Sequence, residues 1–142
     1  MAPSLTAEEL AAYFAFRRAG DLLQKSVTGH LRPYGLTEVQ FTVLAQLGSA
    51  PEGIGMGELA QTLVVSKGGL TYQAKQLEAR GLVERTADPE DDRAVRMTLT
   101  KEGSALLEQV LPEHIAQMRE LFFDRIDPAA LRTMRTALEK LG

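Results

Sequence analysis

The chain contains no cysteine, which excludes disulfides, thiolate metal sites and a thiol redox switch at once and fits a reducing compartment. It also lacks an apolar run of about 18 residues, the length a membrane helix needs. The first candidate, Leu5 to Phe16, is interrupted by Glu8, Glu9 and other polar positions, and no charged-then-apolar leader precedes it. A soluble, cytoplasmic protein without a membrane partner is therefore expected. An excess of positive charge is missing too: 16 Lys and Arg stand against 19 Asp and Glu, for a net charge of −3. Nonspecific nucleic-acid binders usually carry a net basic footprint, so composition alone does not suggest DNA. No Ser/His/Asp set, P-loop, G-x-G-x-x-G or metal cluster occurs. Neither an enzyme nor a cofactor or metal site is expected.

What is present is ordinary globular composition at single-domain length: 142 residues, 44% hydrophobic and 25% charged. Thr6 and Glu9 form a capping box that opens a first helix running to about His30. Its apolar positions Leu10, Tyr13, Phe14, Leu22, Leu23, Val27 and Leu31 cover more than one face of a lone helix. Arg32-Pro33-Tyr34-Gly35 breaks it, because the residue before proline avoids the helical region and glycine permits a left-handed turn. Thr37 with Gln40 is a second capping box, for a helix whose inner face is Gln40, Phe41, Leu44 and Leu47 and which Gly48 closes. The Gly/Pro-rich stretch Gly48 to Gly55 suits a loop within a domain, and Ile54 there can form a strand of one or two residues.

Met56 to Gly103 then spells helix, turn, helix, hairpin, the layout of a winged helix-turn-helix. The first helix lies within Gly57 to Leu63, and the second runs from a Ser66 cap to Arg80 with Leu70, Ala74 and Leu77 turned inward onto Leu59, Ala60 and Leu63. Gly68, Thr71, Tyr72, Lys75 and Gln76 fall on its opposite side, with Gly69 at the edge. Amide, amine and hydroxyl groups near a helix N-terminus suit base edges and phosphates; Ser66, Lys67, Gly68, Gly69, Thr71, Tyr72, Lys75 and Gln76 are the candidate DNA contacts. A plain amphipathic helix with a solvated polar face is the bland reading of the same pattern. The Gly68-Gly69 pair is unfavourable in a helix; either this backbone approaches the duplex closely or the helix begins a turn later. Leu82 to Thr86 and Arg93 to Leu99 alternate as strands joined by an acidic tip, Ala87 to Asp92. Arg93 is the residue expected in the minor groove, where narrow A/T-rich stretches attract a guanidinium. Asp91, two positions away, is placed to orient it, while Glu90 and Asp92 would repel phosphate. Pro112 predicts a kink or break in the long helix that Thr100 opens, and Asp127-Pro128 caps a last helix carrying Leu131, Met134, Leu138 and Leu141.

Leu36-Thr37, Glu58-Leu59-Ala60, Val65-Ser66-Lys67, Gly81-Leu82-Val83 and above all Asp88-Pro89-Glu90-Asp91-Asp92-Arg93 leading to Leu99-Thr100-Lys101-Glu102-Gly103 resemble the MarR (multiple antibiotic resistance regulator) family of bacterial transcription factors. That resemblance covers nearly the whole chain. It implies a mainly α fold with a small β-hairpin, a winged helix-turn-helix over residues 36–103, and dimerisation helices in residues 1–35 and 104–142. It implies a homodimeric repressor on pseudo-palindromic DNA, released by a small aromatic or anionic effector, for which Tyr13, Arg17, His30, Arg32 and Tyr34 are the candidate lining. The family's wing arginine falls on Arg93 and its orienting acid on Asp91; Asp92 and Gly68-Gly69 depart from the family's usual residues. Dimerisation is also expected from the apolar stripes of the terminal helices. A winged helix that binds a protein partner and never touches DNA is the rival reading, which the acidic balance allows.

Overall fold

The computed structural model describes residues 1–142, the side chain of Asp92 excepted. Six helices and three strands follow one another: α1 (Ala7–Leu31), α2 (Glu38–Gly48), β1 (Ile54–Gly55), α3 (Met56–Leu63), α4 (Lys67–Ala79), β2 (Val83–Asp88), β3 (Asp91–Leu99), α5 (Lys101–Leu121) and α6 (Pro128–Leu138). Single 3-10 turns occupy Arg32–Tyr34, Phe123–Arg125 and Glu139–Leu141. No helix among the described residues is long and apolar enough to cross a membrane.

The helix starts follow from side-chain capping. Thr6 Oγ1 accepts from the Glu9 amide at 3.0 Å and Glu9 Oε2 from the Thr6 amide at 2.8 Å. Thr37 and Gln40 reproduce the same reciprocal pair at 3.1 Å in each direction, Ser66 Oγ accepts from Gly69, and Asp127 Oδ1 from Ala130. Each satisfies amides that a helix N-terminus leaves without an internal partner.

The chain forms two compact units, residues 28–112 and residues 1–27 with 113–142. The first holds nearly all the core: Leu31, Val43, Leu44, Leu47, Leu59, Leu70, Ala74, Leu77, Val83, Met97 and Val110 are buried. α2, α3 and α4 pack on a three-stranded antiparallel sheet of order β1-β3-β2, in which Ile54 pairs with Met97 and Val83 with Leu99. The last turn of α1 and the first turns of α5 contribute Leu31, Leu107 and Val110 to this core. The unit's limits therefore lie beyond the 36–103 window that the motif occupies. In the second unit Val27 is the only buried apolar side chain among the described residues.

Two elements differ from expectation. α5 is not broken at Pro112 but runs through it, although the ring removes the amide that would have bonded Glu108 and crowds that carbonyl. The hairpin is tighter than a six-residue tip. β2 and β3 pair regularly from Val83–Leu99 to Ala87–Val95; there the register shifts, so that Asp88 opposes Asp91 across a turn at Pro89 and Glu90 and the residues between Asp91 and Val95 form an irregularity in β3. Asp88 Oδ1 accepts from the Glu90 amide at 2.9 Å, a local bond that stabilises the turn whatever its exposure.

Candidate nucleic-acid interface

α4 begins at Lys67 with both glycines inside its first turn, so the alternative of a later helix start falls away. Its inner face is fixed by Leu70, Ala74 and Leu77, each fully buried. The outward face is what that burial leaves: Lys67, Gly68, Gly69, Tyr72, Lys75 and Gln76 are exposed. Tyr72 stands 61% exposed. Thr71 is half-buried and its hydroxyl donates to the Lys67 carbonyl at 2.8 Å, which leaves its methyl and an acceptor lone pair for a partner. A methyl added at Gly68 would meet no protein atom within 4 Å, whereas one at Gly69 would lie 3.1 Å from Ser66 Oγ. The fold's own packing therefore gives no reason for glycine at 68.

On the wing, Arg93 is exposed and forms no ion pair among the described residues. The contact from Asp91 differs from the expected one: its Oδ1 accepts from the Arg93 backbone amide at 3.0 Å. A short carboxylate beside a turn reaches the amide two residues on more readily than a guanidinium at the end of a long stem. Asp91 thus orders the backbone from which Arg93 projects. The expected repulsion of phosphate by the Asp92 side chain lies outside the described residues.

Three other cations of the winged helix, Arg85, Arg96 and Arg80, are held by contacts within the unit. Arg85 pairs with Glu78 at 3.0 Å, and this guanidinium lowers the Glu78 carboxyl below its ordinary pKa. Because the depressed value is that of the folded state, the pair is intact at neutral pH and is lost only as pH falls through that value. Arg96 donates to the carbonyls of Glu52 and Gly53 at 3.3 and 3.2 Å and faces Asp88 at 3.7 Å, joining the wing to the loop before α3. Arg80 is turned onto backbone carbonyls at 2.9 and 3.0 Å. Lys67, Lys75 and Arg93 are left facing solvent, on the outward side of α4 and at the wing.

Sequence reasoning missed Gln73, Arg80 and Arg96, whose partners are tens of residues away, and it missed Val64. Val64 is the αL residue that turns α3 into α4, at φ 54°, and it is 90% exposed. A β-branched residue there is strained by about 1 to 2 kcal/mol. Val64→Asn should raise stability by about 1 kcal/mol, read as a higher denaturant midpoint; a lower midpoint would mean the valine methyls make a needed contact.

Of the candidate effector residues, Tyr13 is half exposed with the Arg17 guanidinium 6.0 Å from its ring centroid, in the unit of residues 1–27 and 113–142. His30, Arg32 and Tyr34 belong to the other unit. There His30 is 5% exposed and packs edge-on against the Phe41 ring at 6.4 Å, whereas Arg32 is exposed and Tyr34 half-buried. No group of three or more potential metal ligands comes together among the described residues.

A capped helix presenting a polar face, beside a wing whose Arg93 is exposed and has no ion pair among the described residues, is the layout of a winged-helix DNA-binding regulator. Comparison with known proteins carries this further. Residues 34–94 match the model of the MarR family. AbsC of Streptomyces coelicolor, a MarR family transcriptional regulator, superposes with a TM-score of 0.90 at 30% identity over 99% of this chain and 95% of its own. Sco3205 of the same organism, solved in complex with DNA, gives 0.91 at 27% identity over 99% and 89%. CouR of Rhodococcus jostii RHA1, solved bound to p-coumaroyl-CoA, gives 0.85 at 28% over 92% and 90%. The chain belongs to the MarR family: it is a DNA-binding transcriptional regulator and not an enzyme.

Proposed function

We propose that the protein is a cytoplasmic homodimer that binds a pseudo-palindromic operator and represses transcription until a small aromatic or anionic molecule releases it. The observation that carries this reading is the division of labour among cations: Arg80, Arg85 and Arg96 are engaged within the unit, whereas Lys67, Lys75 and Arg93 face outward. On this reading Ser66 to Gln76 lies in the major groove, Arg93 enters the minor groove, and Asp91 sets the wing backbone. Two copies related by a two-fold axis place their recognition helices one DNA turn apart, about 34 to 36 Å. Repression follows when such a dimer covers a promoter.

The dimer is supported by the second unit's poverty of buried surface. Phe14, Phe16, Tyr13 and Leu10 on α1 and Ile115 on α5 are all exposed in the single chain, and apolar area of this extent marks an interface. The terminal helices of residues 1–35 and 104–142 would supply it. An effector of the proposed chemistry is supported by CouR's bound aromatic thioester and by Tyr13 with its neighbouring Arg17, an aromatic face beside a cation within one unit. His30, buried against Phe41, would act through packing.

The test is a salt titration of operator binding. Three outward cations in each of two chains predict a slope of log K against log salt of about −5, at about 0.9 for each phosphate neutralised. Arg93→Ala should weaken binding about tenfold and make the slope shallower by about 2 in the dimer. Unchanged affinity would remove the wing from DNA binding.

A further inference from the structure

α4 is fastened to the rest of its unit by polar contacts as well as by its buried leucines, and these contacts converge on one corner. Gln73 lies on the side of α4 that faces α2, and its Oε1 accepts from Gln40 Nε2 at 3.0 Å. Seven residues on, two helical turns along the same stripe, Arg80 donates from one guanidinium nitrogen to the Gly35 carbonyl at 2.9 Å and from the other to the Tyr34 carbonyl at 3.0 Å. Both fasteners end in the short segment from Tyr34 to Gln40.

That segment is itself well determined. Gly35 takes the left-handed conformation, φ 66°, closing the 3-10 turn after α1. The carbonyls at such a helix end have no internal donor and carry the negative end of the helix dipole. Arg80 supplies the missing donors from the far end of another helix, as a bidentate charge-assisted cap. Gln40 is 8% exposed, and its amide works twice: the oxygen accepts from the Thr37 amide and the nitrogen donates to Gln73. The cap of α2 and the fastening of α4 are therefore one network. Leu70, Ala74 and Leu77 decide which side of α4 is inward, but apolar contacts alone tolerate small rotations and slides. Two directional fasteners, at positions 73 and 80, remove that freedom.

We propose that Arg80, assisted by Gln73, is a positioning residue for operator recognition: by clamping the corner from Tyr34 to Gln40 it fixes the angle at which α4 offers Lys75 and Gln76 to base edges. This rests on the reading of α4 as the DNA-reading helix. Two of the guanidinium's nitrogens are engaged by backbone carbonyls, so its proposed role is alignment and not a direct phosphate contact.

The experiment measures binding of the full-length wild-type protein, Arg80→Met, Arg80→Lys and Gln73→Leu. The probes are a duplex that the wild type selects from a random-sequence pool and an unselected duplex of equal length, each across a salt series. Arg80→Met should lose about tenfold on the selected duplex, as when one base contact falls out of alignment, with unselected binding and the salt slope unchanged. Arg80→Lys, limited to one carbonyl, should fall between, and Gln73→Leu should shift specificity in the same direction. Equal loss on both duplexes with a slope shallower by about 0.9 per subunit would make Arg80 a phosphate contact and overturn the proposal. So would unchanged affinity of Arg80→Met, or, should that variant fail to fold, of both Arg80→Lys and Gln73→Leu. If the wild type selects no duplex, the DNA reading of α4 fails first and is recognised as the separate failure.

Discussion

Gly103→Ala should destabilise the protein by about 2 to 3 kcal/mol, the upper range for overpacking a rigid site, lowering the thermal midpoint by about 5 to 10 °C at this chain length. Gly103 is buried in the first turn of α5, and a methyl built on it overlaps the Leu82 carbonyl oxygen, with a Leu99 side-chain carbon 2.8 Å away. The obstacle is backbone, held where it is by two bonds across the same junction. The Thr100 amide donates to Leu82 at 3.1 Å, and the Thr100 hydroxyl donates to the Gly81 carbonyl at 2.6 Å. The same hydroxyl caps α5 by accepting from the Gly103 amide at 3.0 Å. Leu99-Thr100-Lys101-Glu102-Gly103 is thus a corner where the end of the wing, the entry to β2 and the start of α5 meet at van der Waals distance. Gly57→Ala is the control: it lies on the exposed face of α3 with no atom near a new methyl, and it should stabilise by about 0.5 to 1 kcal/mol through helix propensity. Calorimetry that finds Gly103→Ala as stable as wild type would show that the junction can open without penalty.

If the proposed homodimer forms through α1, the paired substitution Leu10→Glu with Phe14→Glu should leave the protein monomeric at micromolar concentration, as read by sedimentation equilibrium, and lower operator affinity by at least about a hundredfold. Burying a leucine or phenylalanine side chain contributes about 1.5 to 3 kcal/mol, and a symmetric interface receives each contribution twice. The larger effect on DNA comes from linkage: once one half-site is bound, the second sees its recognition helix at an effective concentration set by the dimer, and a monomer forfeits that gain. Both residues are exposed in the single chain, Leu10 at 43% and Phe14 at 60%, so a charged replacement buries no charge and costs within the chain chiefly the edge contact of Phe14 with the Tyr13 ring at 5.6 Å. A variant that sediments as a dimer would exclude this face as the interface.

The sequence by itself determined the order and character of the elements, because their signals are local. Capping boxes at Thr6 and Thr37, the Ser66 and Asp127 caps and the 3.6-residue spacing of Leu70, Ala74 and Leu77 act within one or two helical turns, and each appears where the residues indicated. Local signals left more open where a longer-range balance decided: of the kink or break that Pro112 allows, α5 shows no break, and Asp88 opposes Asp91 across a two-residue turn only after a register shift beyond Ala87. Charge shows the limit most plainly. Six cations between Lys67 and Arg96 look equivalent in a sequence that is acidic overall. The tertiary fold sorts them, turning Arg80 onto carbonyls 45 and 46 residues away, Arg85 onto Glu78 and Arg96 onto the loop before α3. Lys67, Lys75 and Arg93 remain for a partner. A side chain's composition fixes its charge, but only distances between remote segments fix where that charge is spent, and these distances are created by the packing of the apolar core.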